Sequence, residues 1–167
     1  MKRTVVTCGV LSKAELGDLP GVPSKERLWK GPVAVVECNQ EIPCNPCQAA
    51  CPREAIRVDE LTSVPVLDEE KCNGCGSCVA PCPGLAIFVV DMTYSDGEAL
   101  VTMPYEFLPY PEVGEKVDAL DRGGKRICEG TIEKVRTPKK NDRTAVVSVS
   151  VPKKHGMEVR AIRRRPS

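Results

Sequence analysis

The sequence predicts an α+β chain in two parts: a region built on a pseudo-twofold internal repeat, followed by a small all-β meander or barrel. Three observations carry this. An offset of 31 residues superposes Cys44, Cys47, Cys51 and Pro52 on Cys75, Cys78, Cys82 and Pro83, and Ala55 and Ile56 on Ala86 and Ile87. Beyond residue 112, short alternating apolar runs recur between turn signals, as in consecutive strands. The charge changes sign at the same place. Residues 1–112 carry nine Lys and Arg against sixteen Asp and Glu, a net −7, whereas residues 113–167 carry fifteen against seven, a net +8.

Residues 1–31 hold scattered Pro and Gly with little periodicity and are expected to form an extended arm with one short strand at residues 4–8. Trp29, the sole tryptophan, is expected to be a packing residue over the arm that covers core, with a redox relay as the alternative. Residues 32–103 read twice as strand, cysteine loop, short helix, strand. The same offset lays Val33, Val35, Val36 and Glu37 on Val64, Val66, Leu67 and Asp68, and the proline after each fourth cysteine suits the first turn of a helix. Residues 86–91 and 99–103 flank the turn signal Ser95, Asp96, Gly97 and predict a terminal hairpin. Residues 104–112 are Pro-rich and are expected to be a linker. Residues 113–167 predict strands at 116–120, 126–136, 144–151 and 158–162, ending in an Arg-rich tail.

The chemistry lies in two runs of four cysteines: Cys38, Cys44, Cys47, Cys51 and Cys72, Cys75, Cys78, Cys82. Eight thiolates so spaced suit two iron–sulfur clusters, because three cysteines in a tight loop can aim at three corners of one cubane. Gly74 and Gly76 suit such a loop, since glycine takes up positive φ without penalty. Aromatics make up only 4% of the chain, so bound groups are expected to replace part of a core. The cysteines crowd too closely for an ordinary disulfide framework and lack the isolated pairs of structural zinc sites.

The second run, C-N-G-C-G-S-C-V-A-P-C-P, resembles the ligand pattern of bacterial two-cluster ferredoxins. That resemblance implies a ferredoxin-type domain over residues 32–103 with two [4Fe-4S] clusters and crossed fourth ligands: Cys38, Cys44, Cys47 and Cys82 on the first, and Cys72, Cys75, Cys78 and Cys51 on the second. One position departs from the pattern. The repeat equivalent of Cys72 is Glu41, and the nearest cysteine stands three residues earlier, at Cys38. The expected ligand is Cys38, with Glu41 ligation or a three-iron site as the alternatives. Cys8 and Cys128 lack spaced partners and read as small apolar residues, and His155 as a loop residue.

The sequence shows no nucleophile–base constellation, phosphate loop or nicotinamide fingerprint, which leaves one-electron transfer as the chemistry, without catalysis by this chain itself. The segment E-C-N-Q-E-I-P-C-N-P-C, with P-E-V-G-E-K-V-D-A-L-D-R and the β region after it, resembles the ferredoxin-type subunit of anaerobic flavin-dependent dehydrogenase complexes that oxidise amino acids such as proline or hydroxyproline. The resemblance implies a flavin-containing dehydrogenase subunit as electron donor and a redox protein or quinone as acceptor. Two other readings stand beside it: a cluster-stabilised nucleic-acid-binding module, and a low-potential donor to a reductive or radical enzyme. The C-terminal part has no Phe, Tyr or Trp on which bases could stack, which disfavours nucleic acid. Its positive charge instead predicts docking to an acidic protein partner. With neither a secretory signal nor an apolar span in the sequence, a cytoplasmic location is expected.

Overall fold

The computed structural model describes residues 7–165. It is sheet-rich with few helices. The helices α1 (Lys13–Gly17), α2 (Lys25–Leu28) and α3 (Pro46–Ala49) are each about one turn long. The strands are β1 (Val33–Val36), β2 (Ile56–Arg57), β3 (Val66–Leu67), β4 (Ile87–Asp91), β5 (Glu98–Tyr105), β6 (Lys116–Leu120), β7 (Arg126–Arg136), β8 (Ala145–Pro152) and β9 (Ala161–Arg164).

The internal repeat is a repeat of register. β1 pairs antiparallel with β4, placing Val36 opposite Ile87 and Val35 opposite Phe88. The offset of 31 residues turns these pairs into Leu67 opposite Ile56 and Val66 opposite Arg57, which is the pairing of β3 with β2. Glu54 and Leu85, also repeat equivalents, both have φ of 51°. Each closes a turn after its fourth cysteine, with Glu54 N–H donating to the Cys51 carbonyl (3.2 Å) and Leu85 N–H to that of Cys82 (3.1 Å). These turns replace the short helices expected there. A residue in the left-handed region two positions after the proline ends any helical turn before it can propagate.

The strands assigned by sequence to two parts form one seven-stranded sheet, in the order β1-β4-β5-β8-β7-β6-β9. β5 is the seam. It pairs with β4 on one side and with β8 along all eight of its residues on the other. Pro104 and Tyr105, expected in the linker, lie in β5 opposite Val146 and Ala145. By then β5 has run past β4, and proline is tolerated where one side of a strand makes no ladder. β8, in the middle, is buried from Ala145 to Val151. Its polar groups are satisfied: the Ser148 hydroxyl meets that of Thr102 at 2.8 Å, and Ser150 donates to Glu133 at 2.8 Å. The last strand falls at Ala161–Arg164 in place of 158–162, because residues 153–155 form a 3-10 turn that takes up chain first.

The two edges of this sheet meet through charge. Glu37, just after β1, accepts from Arg160 Nε (2.7 Å), just before β9, and from Arg122 Nη2 and Nε (2.5 and 2.8 Å), in the β6–β7 turn. The side chains of Glu37 and Arg160 are 6% and 3% exposed, so this is a buried ion pair. Burial pushes the Glu37 carboxyl up, and the hydrogen bonds and charges of Arg122 and Arg160 bring it to a net position below its ordinary value. Arg160 also lies 4.9 Å over the Phe88 ring.

The N-terminal arm is folded, not extended. Ser12 and Glu15 form a capping box on α1, and Ser24 caps α2. Residues 4–6 of the strand expected at 4–8 lie outside the described residues, and Thr7 and Cys8 are helical. The arm is bonded onto the repeat: Gly21 C=O accepts from Val36 N–H (2.9 Å) and Pro20 C=O from Leu67 N–H (3.0 Å). A Cβ on Gly21 would come within 2.6 Å of the Val36 carbonyl, which explains glycine there. Trp29 is 57% exposed, with the Lys153 ammonium 5.6 Å from its ring, so it makes a cation–π contact and does not bury as expected.

Candidate metal centres

The eight cysteines of the two runs sort into two groups of four. Cys38, Cys44 and Cys47 meet Cys82 around one cavity of about 200 Å³, walled by Val36, Ile42 and Ile87. Cys72, Cys75 and Cys78 meet Cys51 around a second, tighter one beneath Ala34 and Ile56. The fourth cysteine of each run therefore sits in the cavity of the other. The repeat causes this crossing: β1·β4 and β2·β3 are equivalent pairs, and the turn after each fourth cysteine leads into the strand that pairs with the opposite half's entry.

Cys38 lines the first cavity, whereas Glu41 is exposed and does not line it. The five residues between Cys38 and Cys44 bow outward and leave Ile42 51% exposed at the rim. Leu61, 57% exposed, stands close by, since its carbonyl accepts from Cys44 N–H at 3.2 Å.

Backbone N–H groups are aimed at sulfur in both sites. Ala55 N–H donates to Cys51 Sγ (3.2 Å) and its repeat equivalent Ala86 to Cys82 Sγ (3.5 Å), while Ala34 of β1 donates to Cys72 Sγ (3.4 Å). Such donors stabilise thiolate charge and tune whatever the sulfur binds. Gly74 (φ 67°) and Gly76 (φ 77°) supply the left-handed residues of the second loop. A Cβ on Gly74 would lie 2.6 Å from the Pro32 backbone.

The thiols differ in acidity. Burial raises Cys38 and Cys47, with the neighbouring cysteine charges adding to it, and burial together with Cys72, Cys75 and Cys51 pushes Cys78 up to about 12. At Cys75 desolvation also pushes upward, but Ser77's hydroxyl and N–H, the residue's own N–H and the Arg136 charge bring the net value below the ordinary one. Four crowded sulfurs that cannot all ionise alone are a donor set that suits a multiply charged cationic group. Among the described residues no three His, Cys, Asp or Glu side chains converge as the ligands of a single ion would. Four cysteines around one cavity are the donor set that a cubane cluster uses.

Sequence reasoning missed residues that reach these sites from afar. Arg27 of α2 is buried and donates to four carbonyls, among them Cys72 (2.6 Å) and Glu69 (2.8 Å), and so holds the entry to the second loop. No local signal marks a residue 45 positions from its target. The arginines of the tail are engaged within the molecule. Arg163 and Arg165 pair with Asp118 (both 3.0 Å) and Arg164 with Glu115 (2.6 Å), so the positive excess read from the sequence is partly neutralised in place.

Residues 42–86 match the family of 4Fe-4S dicluster domains. That segment is a two-cluster ferredoxin domain, and its cofactors are two [4Fe-4S] clusters. Cys38 lies just outside the match. The chain is 49% identical over 53 residues to the polyferredoxin-like subunit of an aliphatic sulfonate oxidoreductase from Pyrococcus furiosus, covering 32% of this chain and 28% of that one. It is 50% identical over 46 residues to one subunit of an ion-translocating oxidoreductase complex from Methanosarcina acetivorans (28% and 17% of the two chains), and 30% identical over 99 residues to the beta subunit of a dissimilatory-type sulfite reductase from Archaeoglobus fulgidus (56% and 24%). The chain thus spans under a third of each of these relatives. No solved structure matches it. Among the described residues no helix is long and apolar enough to cross a membrane.

Proposed function

We infer that this chain is a non-catalytic electron-transfer subunit of an oxidoreductase complex, with Cys38, Cys44, Cys47 and Cys82 holding one [4Fe-4S] cluster and Cys72, Cys75, Cys78 and Cys51 the other. The observation that carries the reading is the sorting of the eight cysteines, four and four with the fourth exchanged, around two cavities. When bound, such a cluster supplies a one-electron couple at a potential set by its surroundings. The chain's own residues prepare the sites. The thiols of Cys38, Cys47 and Cys78, which burial makes less acidic, would give up their protons to hold a cluster. The N–H groups of Ala34, Ala55 and Ala86, which donate to Cys72, Cys51 and Cys82 Sγ, would then stabilise the charged sulfurs. Val36, Ile87 and Ile56 keep water from the inner walls.

The relatives named above are subunits of multi-subunit redox enzymes, which supports a hetero-oligomer. For the donor we propose a flavin-containing dehydrogenase subunit, on the sequence resemblance, with electrons leaving singly to a redox protein or quinone. Ile42 and Leu61, exposed beside the first site, supply an apolar rim for such contact. Anaerobic affinity purification with identification of associated subunits and flavin analysis tests this. Recovery with a flavoprotein that reduces the clusters on addition of its substrate is expected, and recovery with a flavin-free reductase would replace that donor.

A further inference from the structure

We propose that Arg136, at the end of β7, is a positioning residue for the second site, where its guanidinium sets the reduction potential of the cluster bound through Cys75. The inference rests on the second site holding a [4Fe-4S] cluster, as argued above.

The second site receives a cation from 61 residues away in sequence. Arg136 lies opposite Val146 on β8, and its side chain shares a small cavity with Cys75, Gly76 and Ser77. Its Nη2 is 3.0 Å from the point where a Cβ on Gly76 would stand. Gly76 supplies φ of 77° in the loop and leaves the guanidinium room for its close approach. The repeat equivalent of Gly76 is Asn45, which carries a Cβ where glycine leaves room, so the first loop lacks this opening.

Arg136 Nε is buried without a hydrogen-bond partner, the one such side-chain atom among the described residues. The carboxylates nearest in β7, Glu129 and Glu133, are engaged by other groups, Arg165 and Ser150. A buried, unsatisfied guanidinium N–H costs stability unless something answers it. The cavity that Arg136 shares with Gly76 and Ser77 is also lined by Cys75. Arg122 and Arg160 approach the first site only through Glu37, which lines that cavity and binds both. The two sites thus differ in their uncompensated positive charge.

Reduction adds one electron from an external donor to the cluster, with no bond made or broken in the protein. A cation close by stabilises the added negative charge, so the second cluster is the easier of the two to reduce on this account. The fold thereby separates the potentials of the two sites.

The test is an anaerobic redox titration of the full chain followed by EPR, with iron and sulfide counted in each sample. In Arg136→Gln, eight irons and a fall in one midpoint, the other unmoved, are expected. Arg136→Lys should restore most of the difference, because it keeps the charge. Unchanged midpoints, or an equal fall in both, would overturn the proposal. Loss of four irons in Arg136→Gln would overturn it as well, since the residue would then be structural. A wild-type chain with fewer than eight irons would instead remove the reading on which the proposal rests, and the iron count separates the two failures.

Discussion

At the scale of single residues, Cys38 is the sharpest question. The repeat calls for a ligand at position 41, yet the side chain that lines the cavity is Cys38, and Glu41 faces solvent. Cys38→Ala should convert the first site to a three-iron species or empty it, while Glu41→Ala keeps all eight irons; EPR and iron analysis distinguish them, and the reverse pattern would make Glu41 the ligand. Gly74 poses a backbone question. An L-residue at φ of 67° costs about 1–2 kcal/mol, and here the added Cβ also meets Pro32 at 2.6 Å. Gly74→Ala should therefore lose the second cluster at lower denaturant than the first, seen as a split in the loss of cluster absorbance. The glycines and cysteines were legible in the sequence because their roles are local. Arg27, Glu37, Arg122 and Arg160 were not, because each acts across the fold and no spacing rule marks it.

At the scale of elements, β6 and β7 agree with their sequence pattern at both ends and β8 to within one residue, while β9 begins three residues later than its pattern. Alternation of side chains and turns such as Asp121 to Gly124 are local properties, and Asp121 Oδ1 closes that turn by accepting from Gly123 and Lys125 N–H (both 2.9 Å). Helices were read less well, because one-turn helices carry no periodicity and depend on caps. The closure between β1 and β9 rests on Glu37. Removing one member of a buried ion pair costs about 3–5 kcal/mol, so Glu37→Ala should lower the denaturant midpoint markedly. Replacing Glu37 and Arg160 together by apolar residues should recover part of the loss, and a double-mutant cycle measures the coupling. β9 itself is held by Asp118, whose carboxyl Arg126, Arg163 and Arg165 keep well below its ordinary range. A lowered carboxyl contributes above its unfolded value and loses that contribution as pH falls through the folded one. Protection of the β9 amides, corrected for the intrinsic exchange rate, should therefore fall as pH drops below the ordinary Asp value, and Asp118→Asn should show the lower protection at neutral pH.

At the scale of the whole molecule, the single sheet changes what a truncation means. From the charge boundary, residues 113–167 look removable. In the fold they contribute β8, which covers β5 along its length, and both arginines that satisfy Glu37. Removing them bares an apolar strand edge and leaves a buried carboxylate unpaired. A chain ending at residue 112 should be poorly soluble and lose iron from the first site, measured as iron per chain after anaerobic gel filtration. A soluble truncation with eight irons would show that the seam contributes little.

The sequence by itself determined the two cysteine runs, the repeat that places each fourth cysteine in the other run's cavity, and most strand limits. Each of these follows from spacing, periodicity or a turn, and such signals act over a few residues. Only the tertiary structure decided that β5 joins the two predicted parts, that Glu37 receives two arginines, and that Arg136 comes to rest beside Cys75. Those depend on which strand edges pair once hydrophobic burial has brought them together. The long-range partners that burial selects leave no local pattern in a single chain.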